Sequence, residues 1–209
     1  MNYQGAGLHL KTAPTSEPVD VTQAQEHSRI FTTEDVGLLE ALITAARQEI
    51  EVRTGRALVT QTWQMLMDTW PSGSRIVIPK PPLQEIVSVT YVDSAGATHT
   101  MAAADYDVEF AATPPVLNPY QPVGAIVLAY GKSWPTETLR PAAPITVEFK
   151  AGYGTAAQVP VQLKQAMLLL VGHWYENREA AGDAKYANGL QHVPFGVSSL
   201  CAPFKVWSF

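Results

Sequence analysis

The side chains that could do chemistry are few in this sequence, and they are scattered. His173 and Glu176 stand three residues apart in a helical pattern, which is the spacing of metal ligands in some helix bundles. No second pair of this kind accompanies them, and a metal site needs several converging ligands. The remaining histidines occur singly, at His9, His27, His99 and His192. We therefore interpret His173 as a structural or exposed histidine and expect no bound metal.

Cys201 and a glycine-containing segment also lack the surroundings that their chemistry would need. The nearest basic residues to Cys201 are His192 and Lys205, and the thiol lies in an apolar stretch, so we expect a buried, unreactive cysteine. The segment Ala151–Thr155 contains two glycines but has neither the spacing nor the lysine of a phosphate-binding loop. It is typical of a turn between a strand and a helix.

Acidic and aromatic side chains in the middle of the chain could each have a binding role or a structural one. Asp105, Asp107 and Glu109 alternate along a candidate strand, and their shared face could bind a cation weakly or face solvent. Tryptophans in or beside the β region could stack on sugars or fill cores and interfaces, and these are Trp63, Trp70 and Trp134. We favour the solvated face and the packing role. No motif predicts an enzyme or a cofactor site.

Composition excludes some partners and suggests others. The 209 residues suffice for one or two domains with a buried core. Lysine and arginine number 14 against 19 acidic residues, so the net charge is −5 and we expect no tight non-specific binding to DNA. Charged residues make up only 16% of the chain, compared with roughly 25% in ordinary soluble domains. This low charge predicts that another subunit covers part of the surface.

The compartment can also be predicted. A single cysteine excludes an intramolecular disulfide framework and fits a reducing environment. The first twenty residues have no sustained apolar core, so we expect no secretory signal. The longest apolar run, Ala166–Gly172, is much shorter than the about 20 residues of a membrane span. We expect a soluble protein that is not exported.

Residues 1–57 are predicted to form an N-terminal arm and two helices. The arm, up to Val21, shows no periodicity. Thr22–Arg29 has capping-box spacing and predicts a short helix. Thr33–Arg53 predicts a long helix, because its apolar residues recur every three or four positions; Glu49 and Arg53 are spaced for an ion pair, and Gly55 marks the end.

Residues 58–150 are predicted to form an antiparallel β domain inserted between the helices. Alternation of apolar and polar residues begins at Leu58, and Asp93–Gly96 is typical of a hairpin turn. Prolines exclude long strands nearby. Further candidate strands are Arg75–Ile78, Ile86–Val92, Thr98–Met101, Tyr106–Phe110, Ala125–Tyr130 and Ile145–Lys150.

The last 59 residues predict a further helix, a loop and a tail. Val161–Arg178, in the segment 151–179, is apolar on more than one side, so we expect it to pack on the long helix and also on the β domain or a neighbouring subunit. Glu179–Gln191 is typical of a mobile loop, and the segment 180–209 ends in an apolar tail that needs a docking site. The predicted fold class is α+β, a helical body with an inserted β domain and an extended C-terminal tail.

Short blocks follow one another in a particular order along the chain. They are Glu17–Val19, Leu38–Ile43, Ala45–Arg47, Ile50-Glu51, Thr54–Leu58, Thr60–Trp63, Asp68, Trp70-Pro71, Ile78-Pro79, Pro82-Leu83, Val89, Tyr91, Asp93, Phe149–Gly154, Tyr175–Glu179, Pro194–Val197, Leu200 and Ala202–Phe204. In their order and spacing these blocks resemble the head-to-tail connector (adaptor or head completion) proteins of long-tailed phages and phage-like gene transfer particles. The resemblance extends from about Glu17 to Phe204, and the Pro-rich stretch around Pro114–Pro122 lies outside it.

The resemblance implies a structural virion protein without catalytic activity. Such proteins form a ring, usually of twelve copies, that joins the capsid portal to a stopper or tail component and lets double-stranded DNA pass through its bore. They are located at the capsid–tail junction and in the host cytoplasm during assembly. A closed ring needs two different complementary faces on each subunit, for which Thr33–Arg53 and Val161–Arg178 are our candidates.

The resemblance also implies that the C-terminal segment engages the portal. We expect six residues to contact the portal or a neighbouring subunit, namely Leu200, Phe204, Trp207, Phe209, Met167 and Trp174. On this hypothesis, deleting Val197–Phe209 leaves a folded subunit that no longer binds the portal. Alternatively, the tail packs back on the β unit of its own chain. The alternative function is a ligand- or carbohydrate-binding β module on a helical scaffold, which only the tryptophans favour.

Overall fold

The computed structural model describes residues 7–30, 32, 34–109, 123–177 and 195–206, and they form two compact units. The β unit contains the described parts of Met1–Thr15 and Thr60–Tyr153. The helical unit contains those of Ser16–Val59 and Gly154–Val206. Helices and antiparallel sheets are thus segregated along the chain, and the α+β fold class is confirmed.

The helical unit begins with α1, Val21–Ser28, and α2, Val36–Thr54. The residue that caps α1 is Asp20 rather than Thr22, because its carboxylate accepts a hydrogen bond from the Gln23 amide (2.8 Å) and the Gln23 side chain accepts one from the Asp20 amide (3.1 Å). Thr33, the first residue of the predicted long helix, lies outside the described residues.

The predicted end of α2 is confirmed. Gly55 adopts the left-handed conformation (φ 72°), and its amide donates to the Glu51 carbonyl at 3.0 Å. The predicted pair between Arg53 and Glu49 is present at 2.6 Å on the side of the helix.

Helix α3, Val161–Glu176, packs against α1, α2 and α4, the last of which spans Phe195–Cys201. Its buried residues are Leu163, Ala166, Met167, Leu170 and Val171. The prediction that this helix is covered on more than one side is confirmed, and the covering helices α1, α2 and α4 belong to the same chain.

The β unit contains two antiparallel sheets. The first has the strand order β1-β2-β8-β4-β5, and the second has the order β3-β7-β6. The strands are β1, Gly7–Thr12; β2, Gln61–Met67; β3, Arg75–Val77; β4, Leu83–Val92; β5, Thr98–Thr100; β6, Tyr106–Glu109; β7, Ala125–Leu128; and β8, Ile145–Ala151. The turn predicted at Asp93–Gly96 joins β4 to β5: Asp93 Oδ1 accepts hydrogen bonds from the amides of Ala95 and Ala97, both at 2.9 Å.

The N-terminal arm corrects the predicted division of the chain. We grouped residues 1–57 with the helical body, but Gly7–Thr12 forms β1 and pairs with β2. Leu8 and Leu10 alternate with His9 and Lys11, a period of two that is too short to stand out from the glycines and prolines around it. Pairing with an existing strand supplies the stability that this short segment lacks alone.

Among the described residues, none forms a helix with the length and apolar composition needed to cross a bilayer.

Candidate interaction surfaces

The residues predicted to contact partners occupy different environments. Met167 has no exposed surface and Phe204 is only 7% exposed, because both lie in the core of their own chain. These two residues have almost no surface to offer another chain. Trp174 and Leu200 are half-buried, so part of each side chain remains accessible. Trp207 and Phe209 lie outside the described residues.

The C-terminal segment docks on the helical unit of its own chain. Val197 and Cys201 of α4 are buried, as is Phe204 in the following 3-10 turn. The buried Arg56 guanidinium donates from Nε to the Phe204 carbonyl at 2.6 Å, and the Val206 amide donates to the Thr54 carbonyl at 2.8 Å. The segment up to Val206 therefore belongs to the core of the helical unit. Deleting Val197–Phe209 would remove part of that core, which corrects the expectation of a folded remainder.

Cys201 shows the chemical consequence of this docking. Burial raises the pKa of its thiol to about 11, and of the two nearby charges Arg53 lowers the pKa while Glu49 raises it. A thiol with so high a pKa stays protonated at neutral pH and is a poor nucleophile. The prediction that Cys201 is buried is confirmed, and the raised pKa supports the expectation that it is unreactive.

A charge network centred on the buried Arg47 connects Glu17, which precedes α1, with Leu58, which follows α2. Arg47 lies in α2 and is 5% exposed; its Nε donates to Glu17 Oε2 at 2.8 Å and its NH1 donates to Glu51 Oε2 at 3.1 Å. Glu51 Oε1 accepts the Leu58 amide at 2.9 Å, just after α2 ends. Thr44 Oγ1 donates to the second oxygen of Glu17 at 3.1 Å. The buried Arg47 guanidinium is thus shared by the buried carboxylate of Glu51 and the partly exposed carboxylate of Glu17.

This network accounts for several of the blocks that carry the family resemblance. Glu17, Arg47, Glu51 and Leu58 all belong to those blocks, and the structure brings them together. We did not single out Arg47 from the sequence. The available signal was a pair of opposite charges four residues apart, Arg47 and Glu51, on the helix side that also carries Ile43 and Ile50.

The outward face of α2 is uncharged over four turns. Its residues recur at alternating intervals of three and four, which places them in one stripe opposite the buried side. Leu38 is 37% exposed and Val52 is 73% exposed. A solvated helix usually places charges at such positions, whereas this stripe, here called the α2 stripe, consists of Leu38, Ala41, Ala45, Gln48 and Val52.

Helix α3 offers less apolar surface than the sequence suggested. Val161, at its first turn, is 75% exposed, and Leu168 is half-buried. The central apolar residues of α3 are covered by helices of the same chain. Of the two faces predicted for subunit contacts, the α2 stripe is therefore the more extensive.

The tryptophans of the β unit pack largely against other side chains. Trp70 and Trp134 stack with ring centroids 5.1 Å apart, and Tyr91 meets Trp70 edge-on at 5.8 Å. Lys80 Nζ lies 5.4 Å from the ring centroid of Trp63. An open cleft of about 450 Å³ adjoins the cluster, and two of its charged residues, Asp105 and Lys132, pair at 2.7 Å. These contacts favour packing over a flat sugar-binding platform.

The remaining candidates for chemistry have structural roles. Gly154 (φ 113°) lies in the turn before α3, where an added Cβ would lie 2.2 Å from Gln158 Oε1. Asn177 Nδ2 donates to the His173 carbonyl at 2.8 Å, at the end of α3. Glu109 pairs with Arg75 at 2.6 Å, and both are exposed. Within the described residues, no three potential ligands among His, Cys, Asp and Glu converge as a metal site requires.

The same sequence matches a family model described as head completion protein, over residues 19–192. A search of curated proteins found no match.

Solved structures with this fold come from gene transfer agent (GTA) particles. A chain in the neck of an empty GTA particle, computed with C6 symmetry, has a TM-score of 0.75 at 23% identity, with 97% of each chain covered. A chain in the virion of a native GTA particle has a TM-score of 0.73 at 24% identity, covering 97% of this chain and 96% of that one. A chain in the neck of a native GTA particle, computed with C12 symmetry, has a TM-score of 0.69 at 24% identity, with 97% of each chain covered. At these identities the likeness establishes the fold.

Proposed function

The chain belongs to the head completion protein family, and on this premise we propose that it is a structural virion protein at the junction between capsid and tail. The observation that carries the proposal is the family match over residues 19–192. The likeness over 97% of the chain to proteins of GTA necks supports the same location. The protein acts by holding other components in place and needs no catalytic site or cofactor.

In this proposal, copies of the chain form a ring, most simply of twelve. Similar chains occur in necks computed with C6 and C12 symmetry, which supports cyclic assembly. A ring is built from heterologous contacts, in which two different surfaces of each subunit meet. The α2 stripe supplies one uncharged surface of suitable length, and the exposed Val161 at the start of α3 is a candidate for part of the second surface.

The ring joins the portal on one side to a stopper or tail component on the other, and double-stranded DNA passes through its bore. The net charge of −5 supports passage without tight binding, because phosphates are held mainly by lysine and arginine. Assembly takes place in the host cytoplasm, and the mature protein is part of the virion.

The portal contact is assigned to the end of the chain. Leu200 keeps part of its side chain accessible. Residues after Val206 follow directly on the docked segment, so a partner that binds them would be held close to the helical unit. Trp207 and Phe209 supply the large aromatic side chains that are enriched in protein interfaces.

The test is binding of the purified chain to its purified portal protein, followed by analytical ultracentrifugation. We expect a complex that carries about twelve copies of the 22.7 kDa chain. A deletion of residues 207–209 preserves the hydrogen bonds of Arg56 and Val206, and we expect it to fold normally but to bind the portal at least tenfold more weakly. Absence of binding by the parent chain would overturn the proposed function. Unchanged binding by the deletion variant would overturn only the role of the tail.

A further inference from the structure

Two edge strands of the β unit carry complementary side chains. In the described structure, β1 is paired only with β2, at one edge of the five-stranded sheet, and β6 is paired only with β7, at one edge of the three-stranded sheet. An open edge presents unpaired backbone N–H and C=O groups and can accept a strand from another chain. The opposite edges, β5 and β3, have only three residues each.

Strand β1 combines an apolar face with a basic one. Leu8 and Leu10 are 39% and 37% exposed, and their register partners in β2 are Met65 and Trp63. They therefore continue the inner face of the sheet to its edge. His9 lies on the other face, and Lys11 lies at an irregularity in the β1–β2 register, between Leu10 and Thr12. The side chain of Lys11 is 48% exposed and pairs with Glu148 at 2.6 Å.

Strand β6 has the matching pattern with the opposite charge. Tyr106 and Val108 are half-buried on one face, and Asp107 and Glu109 are exposed on the other. Arg75 pairs with Glu109, but the side chains of both remain about half exposed.

We propose that β1 of one copy pairs antiparallel with β6 of the next copy in the ring. In the register that places Lys11 opposite Asp107, His9 lies opposite Glu109 and Leu10 lies opposite Val108. The ammonium group of Lys11 then faces the carboxylate of Asp107, the imidazole of His9 lies beside the carboxylate of Glu109, and apolar residues meet on the other face. The inference rests on the proposed function for the closure of the ring, and it specifies which strands join neighbouring subunits.

Charge and symmetry favour this pairing over self-pairing of either strand. Two β1 strands would bring His9 and Lys11 of both copies together, and two β6 strands would bring four carboxylates together, which destabilises antiparallel pairs. A contact between two identical strands is also isologous and ends at a dimer, whereas a β1–β6 contact is heterologous and can continue around a ring.

Cysteine cross-linking tests the pairing directly. In a Cys201→Ala background, one chain carries Lys11→Cys and another carries Asp107→Cys. Residues opposite each other in antiparallel strands have Cα atoms about 4.5–5.5 Å apart, which suits a disulfide. We expect a disulfide-linked dimer only when the two variants are mixed, both at high protein concentration and in portal-bound assemblies. Replacing Asp107→Cys by Ser94→Cys, in the exposed β4–β5 turn, is the matched control and should give no cross-link.

Three outcomes would overturn the pairing. They are self-linking of the Lys11→Cys chain, equal linking with the Ser94→Cys control, and no linking in assemblies that contain both variants. If electron microscopy shows rings that do not cross-link, the pairing is wrong while the proposed function stands. If the parent chain neither binds portal nor associates, both fail.

Charge exchange provides a second test that introduces no disulfide. Lys11→Glu or Asp107→Lys alone should weaken association of the subunits about three- to tenfold, since each places like charges opposite each other. The double variant should recover most of the loss. Glu148→Gln, which removes the contact of Lys11 within its own chain, should leave association near that of the parent. Failure of the double variant to recover association, when both single variants weaken it, would overturn the proposed register.

Discussion

In the helical unit, helices α1 to α4 cover one another, whereas in the β unit each sheet keeps an edge strand that is open in the described structure. In the helical unit, the buried Arg47 and Glu51 also pair with each other. The C-terminal segment covers the core of this unit, and its Phe204 carbonyl accepts a hydrogen bond from Arg56. The β unit instead exposes β1 along its full length and Tyr130 completely. Both units bury apolar side chains completely, and the β unit in addition keeps backbone groups of its edge strands available for assembly.

The largest expected loss of stability comes from removing the C-terminal segment that covers the core of the helical unit. Deleting Val197–Phe209 takes away the buried side chains of Val197, Cys201 and Phe204. We expect a loss of about 5 kcal/mol or more in the free energy of unfolding, because each large buried side chain contributes a few kcal/mol. Urea unfolding followed by circular dichroism measures this loss, with deletion of residues 207–209 as the control. Equal stability of the two deletions would show that the segment is dispensable for the core.

A second test breaks the buried charge network. Arg47→Ala leaves the carboxylate of the buried Glu51 without its cation, and we expect a loss of about 3–5 kcal/mol in the free energy of unfolding. Arg53→Ala is the matched control in the same helix, because its pair with Glu49 is partly exposed and should contribute less than about 0.5 kcal/mol. Similar losses for both variants, measured by thermal or urea unfolding, would contradict a special role for burial.

The buried Cys201 thiol should make the stability of the helical unit depend on pH. Its pKa is raised by burial to about 11 in the folded chain, above the ordinary value of 9.0. The unfolded chain therefore loses the thiol proton at lower pH, so this contribution to stability is complete below about pH 9 and is lost as pH rises towards 11. We expect the loss to be on the order of 2 kcal/mol. The measurement is urea unfolding across this pH range, with Cys201→Ala as the control. Identical pH profiles for both chains would contradict it.

The smallest expected change in stability comes from the α2 stripe. Val52→Glu should alter the free energy of unfolding by less than about 0.5 kcal/mol, because Val52 is 73% exposed. If the stripe is a subunit contact, the same variant should lose ring assembly on the portal, as seen by ultracentrifugation. Ser94→Glu adds the same charge at an exposed turn and should assemble normally. Normal assembly of Val52→Glu would exclude the stripe from the interface.

The sequence predicted elements whose signals are local. The apolar period and the glycine stop located α2, and alternation located most strands of the β unit. The hairpin at Asp93–Gly96 followed from turn residues alone. The chemistry of Cys201 was also predictable, because an apolar neighbourhood raises the pKa of a thiol wherever the chain folds over it.

The candidate surfaces were predicted less well. Met167 and Phe204 looked like surplus apolar residues, but they are covered by other parts of the same chain. From the sequence we named the whole helix Thr33–Arg53 as a candidate subunit contact and did not single out the α2 stripe. Two sides of this helix are weakly apolar, and the sequence pattern does not say which of them meets the core. The complementary charges of β1 and β6 became visible only when both strands were placed at sheet edges.

By itself, the sequence determined the fold class and the main helices and strands, because periodicity, caps and turn residues act within a few positions of one another. The tertiary structure decided which distant residues the segments around Lys11 and Phe204 contact. The hydrogen bond from Arg56 to Phe204 joins residues 148 positions apart, and the pair of Lys11 with Glu148 joins residues 137 positions apart. No local pattern encodes such partners, since they are selected only when the whole chain packs and each buried polar group finds a partner.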